Sequence, residues 1–174
     1  MINSKKIYQD ANKLRRQTGS TNMETLAHSL GIHIYYQDDF KQLLGMYTCI
    51  QRKKAILLNA RLDEHMKQMV IAHELGHDRL HKHLVRNGGV REFELFDIKN
   101  TAEYEANAYA SHLILDTDEF VELARSGQDV MQIACSMNTH VNLILIKLRE
   151  LIRLGYDLRM PMDTHGDFLK NIRV

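Results

Sequence analysis

The 174-residue sequence has no run of about 18 apolar residues, so no segment reads as a membrane-spanning helix. Its opening, MINSKKIYQDANKLRR, lacks the apolar stretch of a secretory signal, and a cytoplasmic location is expected. An excess of one charge is also missing. The 23 basic and 22 acidic residues leave a formal charge of +1, which excludes the global electrostatic footprint usual in nucleic-acid-binding domains. Cysteine is scarce: Cys49 and Cys135 stand far apart and form no CxxC, which favours free thiols in the packing over a disulfide or a thiolate metal site. Proline occurs once, at Pro161, and there are no internal repeats or low-complexity tracts.

What is present is the composition of one ordinary globular domain, with 44% hydrophobic and 26% charged residues. A single domain is expected over 1–158, followed by a loosely packed tail, 159–174. Residues 3–17 and 21–30 read as two short helices separated at Gly19. IHIYYQ (32–37), LLGMYTCI (43–50) and KAILLN (54–59) read as strands of a small antiparallel sheet, with QRKK (51–54) as a hairpin link. These segments make up an N-terminal part, 1–60. From Leu62 to about Leu84 the apolar residues fall at helical spacing, and the NGG at 87–89 is a stop. A looser stretch, 90–98, precedes a helix over 100–115. Three more helices are expected over 117–126, 128–137 and 139–155. The fold class is therefore α+β, with a small sheet packed on a central helix (61–115 with its partner helix) and a helical C-terminal part (116–158).

The central helix carries HELGH at 73–77, an HExxH pattern. His73 and His77 lie about 40° apart on a helix of 3.6 residues per turn, so both imidazoles can reach one ion. They share a stripe with Met66, Met69, Val70, Gly76, Leu80 and Leu84, an otherwise apolar face. A lone buried histidine is most often a hydrogen-bonded core residue, but a pair one turn apart with a glutamate between them is better explained by a metal. Zinc held by three protein ligands brings a bound water to a pKa of about 7, and Glu74 stands where a general base would take that proton. Gly76 would allow another backbone or a substrate strand to come close.

A third ligand is sought in AEYEANAYASHLIL (102–115). Glu103 projects with Ala106, Asn107, Ala110 and Ile114, an inward face, whereas Glu105 projects about 160° away, toward Tyr109 and His112. Asn107, one turn after Glu103, is placed to accept a hydrogen bond from the second ring nitrogen of a zinc-bound histidine. The competitor is His83, ten residues after His73, at the spacing of HExxHxxGxxH. Leu80 replaces the glycine of that pattern, so the helix continues and His83 points away. His81 lies on the ligand side but too far along the axis to share the ion, and a capping or surface role is expected for it and for His83.

HELGHDRLH followed by EYEANAYASHLI resembles the ImmA/IrrE-type zinc metallopeptidases of bacteria, phages and integrative elements, over most of the chain. The resemblance implies a zincin-like fold, and it matches His73, Glu74 and His77 to the family's HExxH and Glu103 to the zinc-bound glutamate opening ExxAN. Asp116 stands where family members usually carry proline, a departure outside the zinc site. The resemblance also implies one bound Zn²⁺, or another divalent metal, and a site-specific endopeptidase that cleaves a helix-turn-helix repressor to derepress mobile-element or stress genes. In gluzincin-like peptidases an edge strand pairs with extended substrate, and 54–59 is the expected edge. Tyr47, Tyr104, Tyr109 and His81 are candidate donors to an oxyanion.

Two other classes compete. DVMQIACSMNTHVNLILIKLREL (129–151) loosely resembles a DNA-binding helix-turn-helix, but LILI at 143–146 points to burial where base readout needs a polar face, and direct DNA binding is not expected. A non-proteolytic zinc protein acting as a regulatory partner is the other, although Glu74 is superfluous in a purely structural site.

Overall fold

Short polar side chains fix where the helices begin. Asn3, Asn22 and Asp63 each accept a hydrogen bond from a backbone N–H three residues on, and Asp116 accepts two, from Asp118 and Glu119. Asp129 forms a full capping box with Gln132. In the computed structural model, which describes residues 2–82, 90–92, 96 and 101–160, these caps open five of the seven helices found among the described residues. The helices are α1 (Ser4–Thr18), α2 (Met23–Ser29), α3 (Glu64–Leu80), α4 (Thr101–Ile114), α5 (Thr117–Arg125), α6 (Val130–Ser136) and α7 (Val141–Arg153). The strands are β1 (Ile32–Gln37), β2 (Gly45–Ile50), β3 (Lys53–Asn59) and β4 (Val90–Glu92). The α+β class with a helical C-terminal half is as expected, and no helix among the described residues is long and apolar enough to cross a membrane.

The sheet departs from expectation in two ways. Its order is β1-β3-β2-β4, and β1 pairs with β3 in parallel while β2 pairs with β3 and β4 antiparallel, so the sheet is mixed. The tight link at Gln51 and Arg52, both at positive φ, turns β3 back along β2. Instead of staying outside, β3 inserts between β2 and β1 and therefore runs with β1. Consequently β3 is an interior strand, not the edge expected for 54–59; Leu57 pairs with both Tyr35 and Met46. The edges are β1 and β4, the latter in the stretch read as irregular.

The site is positioned by α3, which lies between the sheet and α4. Toward the sheet, a Cβ at Gly45 would come within 2.5 Å of Val70 Cγ1, so only glycine lets β2 approach this closely. Toward α4, a Cβ at Gly76 would stand 2.9 Å from the Ala106 Cα, which fulfils the expectation that Gly76 admits another backbone. Ile56, Leu58, Val70, Ile71 and Leu75 fill the layer between. Helix α3 ends at Leu80, where the His81 N–H closes the last turn on the His77 carbonyl. His83 and the NGG stop lie outside the described residues, as does the tail from 161. In α7 four successive residues, Leu143 to Ile146, are buried, so the second helix of the helix-turn-helix-like pair belongs to the core.

Candidate metal centre

His73 and His77 project from one side of α3, both fully buried, with their Nε2 atoms 3.0 Å apart. Glu103, in the first turn of α4, brings Oε2 to 3.2 Å from His73 Nε2 and 3.5 Å from His77 Nε2. The inward phase read for Glu103 thus matches its position. The opposite ring nitrogens are anchored. His73 Nδ1 lies 3.0 Å from Asn107 Oδ1, and His77 Nδ1 lies 3.1 Å from His81 Nδ1. An Nδ1–H donated to the Asn107 oxygen leaves the His73 Nε2 lone pair facing the cluster, and the same holds for His77 if His81 accepts. Two nitrogen lone pairs and a carboxylate then converge on one point, a donor set that fits a divalent cation of borderline softness such as zinc.

The electrostatics agree with that fit. Burial pushes the His77 imidazole down to about 4, against the opposing pull of Glu103, so it is neutral near pH 7, as a ligand has to be. For Glu103, burial works upward, but the two imidazoles beside it prevail and hold it below the usual carboxylate range. One-fifth of the Glu103 side chain is exposed, whereas the two histidines are buried.

Glu74 faces the sheet rather than α4. It is fully buried, and its Oε2 accepts the backbone N–H of Tyr47 at 3.0 Å. One turn further on, buried Asp78 accepts the Tyr47 hydroxyl at 2.5 Å and pairs with Lys54 Nζ at 2.8 Å. Burial and Asp78 both push the Tyr47 phenol up, keeping it a donor. The same bond takes Tyr47 from the group of oxyanion donors. Tyr104 gives its hydroxyl to Glu150 at 2.7 Å and Tyr109 to Asp10 at 3.0 Å, so neither is directed at the cluster.

Two residues make buried contacts behind the cluster that the helical projection missed. His81, expected to cap or lie on the surface, is 4% exposed and packs behind His77. Glu105, expected to project away, holds His81 Nε2 at 3.1 Å through Oε2. The signal available in the sequence was the repeat of histidine at 73, 77 and 81, one per turn.

A family model described as the IrrE N-terminal-like domain, a peptidase family, matches residues 26–149. The chain belongs to this family. HExxH, Glu103 and Asn107 all lie inside the matched segment. A relative is the "Uncharacterized immunity region protein 2" of Bacillus phage phi105, 29% identical over 103 residues, which cover 59% of this chain and 64% of the relative. The chain thus spans less than two thirds of the length of the curated relative that it matches.

Proposed function

We propose that the protein is a zinc-dependent, site-specific endopeptidase of the cytoplasm, and that its substrate is a helix-turn-helix transcriptional repressor whose cleavage derepresses mobile-element or stress genes. The observation that carries the reading is the convergence of His73 Nε2, His77 Nε2 and Glu103 Oε2 on one point, on the helix that also carries Glu74. In this reading His73, His77 and Glu103 hold one Zn²⁺, and Asn107 fixes the tautomer of His73. The ion, when bound, lowers the pKa of a water and polarises the scissile carbonyl. Glu74 is the general base: anchored through Oε2 by the Tyr47 N–H, it takes the proton of the attacking water and passes it to the leaving amine. Asp78 and Lys54 keep Tyr47, and with it Glu74, in place. A buried α7 favours this reading over DNA binding. The immunity-region name of the phage relative supports a repressor as the substrate.

The test is incubation of the purified, zinc-loaded protein with the helix-turn-helix repressor of its own locus. One cut is expected, lost on chelation and in Glu74→Gln, with zinc still bound by that variant. Free digestion of casein with the repressor left intact would reject the substrate; cutting by Glu74→Gln at the wild-type rate would reject the base.

A further inference from the structure

Behind the proposed metal ligand His77 stands a second histidine and behind that a carboxylate. His77 Nδ1 lies 3.1 Å from His81 Nδ1, and His81 Nε2 lies 3.1 Å from Glu105 Oε2. The chain crosses from α3 to α4 and is covered: His81 is 4% exposed and the Glu105 side chain 21%. Proton positions along it follow from the end groups. A carboxylate only accepts, so His81 Nε2 carries the hydrogen; in neutral His81, Nδ1 then accepts, and His77 Nδ1 donates to it. That leaves His77 Nε2 as a lone pair directed at His73 and Glu103, the orientation a metal ligand needs. His73 reaches the same state by a different route, through the neutral Asn107 oxygen alone.

We infer that His81 and Glu105 are positioning residues for the metal, forming a His77–His81–Glu105 relay that fixes the tautomer of His77 and strengthens it as a donor. The carboxylate polarises His81, a polarised His81 accepts more strongly from His77, and the hydrogen drawn from His77 Nδ1 raises electron density at its Nε2. The two imidazole ligands are therefore unequal: His77 is backed by a charge two residues away through hydrogen bonds, and His73 by an amide. The inference rests on the reading of His73, His77 and Glu103 as metal ligands.

The test measures zinc affinity of the full chain by competition with a chromophoric chelator, together with the melting temperature of the metal-free protein. Glu105→Gln keeps shape and loses charge; it is expected to weaken zinc binding about tenfold, and His81→Ala about 10- to 100-fold. His81→Asn offers an oxygen near the place of Nδ1 but cannot reach Glu105, and is expected to recover part of the loss. Because the relay acts in series, Glu105→Gln added to His81→Ala should cost no further affinity. If the variants melt lower in the metal-free state but bind zinc as the wild type does, His81 and Glu105 only staple α3 to α4 and the relay is wrong. Full additivity of the two changes overturns it as well. If the wild type binds no zinc, the metal reading itself fails and the relay falls with it, an outcome distinct from the other two.

Discussion

Tyr47 grips the catalytic-motif helix at two points one turn apart, its backbone N–H on Glu74 and its hydroxyl on Asp78. A residue of β2 thereby sets the position of the proposed base. Shortening that base is the sharpest probe. In Glu74→Asp the carboxylate withdraws by one methylene and cannot hold both the Tyr47 N–H and its original position. Misplacement on the order of 1 Å is expected to lower the cleavage rate about a hundredfold while zinc stoichiometry and melting temperature stay near wild type. Wild-type turnover in this variant would mean that another group takes the proton.

Tyr47→Phe separates the two points. The backbone bond to Glu74 survives, but buried Asp78 loses its hydroxyl donor and keeps Lys54 as its partner among the described residues. A stability loss of about 1–3 kcal/mol is expected in urea titration. Zinc affinity should be unchanged, since the phenol does not reach the cluster.

Gly76→Ala sets two effects against each other. Alanine gains about 1 kcal/mol in helix propensity over glycine, but its methyl would stand 2.9 Å from the Ala106 Cα and 3.0 Å from the Ala106 carbonyl oxygen, backbone atoms that cannot rotate aside. Overpacking of this kind costs about 1–3 kcal/mol, and a net destabilisation is expected in thermal melts. Zinc affinity should fall too, because relief of the clash moves α4, and Glu103 with it, away from α3.

Lys147 gives stability a dependence on alkaline pH. Its ammonium is fully buried, donating to Thr117 Oγ1 at 2.9 Å and to the Leu115 carbonyl at 3.0 Å. Burial pushes its pKa down from 10.5 to about 7, with Arg15 adding to the shift. Between these values the unfolded chain binds a proton that the folded chain has released, so stability rises with pH. Below pH 7 both states are protonated and the cost of burying the charge is constant. Urea titrations at pH 7.5, 8.0 and 8.5, below the range where buried tyrosines such as Tyr47 and Tyr109 oppose the trend, should show a rise approaching about 1.4 kcal/mol per pH unit, which Lys147→Met removes. A flat profile in the wild type would contradict it.

Local patterns were the legible part. The two histidines one turn apart and the inward phase of Glu103 and Asn107 follow from helical periodicity, and the structure brings these four side chains together, with Glu74 turned toward the sheet. Periodicity failed where the backbone leaves the ideal helix. His81 sits at φ −122° and ψ 33°, so its ring does not continue the regular stripe, and the distance along the axis that removed it from the ion put it behind His77 instead. Glu105 failed because its partner belongs to another element. Strand positions were legible from β-branched and aromatic runs, but the insertion of β3 between β1 and β2 is a long-range choice that no local pattern encodes.

Helix α1 precedes the family-matched segment, yet Asp10 on it accepts from Arg79 of α3 at 2.6 and 2.8 Å and from the Tyr109 hydroxyl of α4 at 3.0 Å. Ile7, Ala11 and Leu14 enter the core beside them. One short carboxylate thus buckles together the two helices whose separation sets the distance from Glu103 to the histidines. A version of the protein trimmed to begin at residue 26 would leave an arginine and a tyrosine hydroxyl without their acceptor and bare an apolar strip along α4. For expression, crystallisation or grafting, the working unit therefore includes α1, upstream of the boundary drawn by the family match.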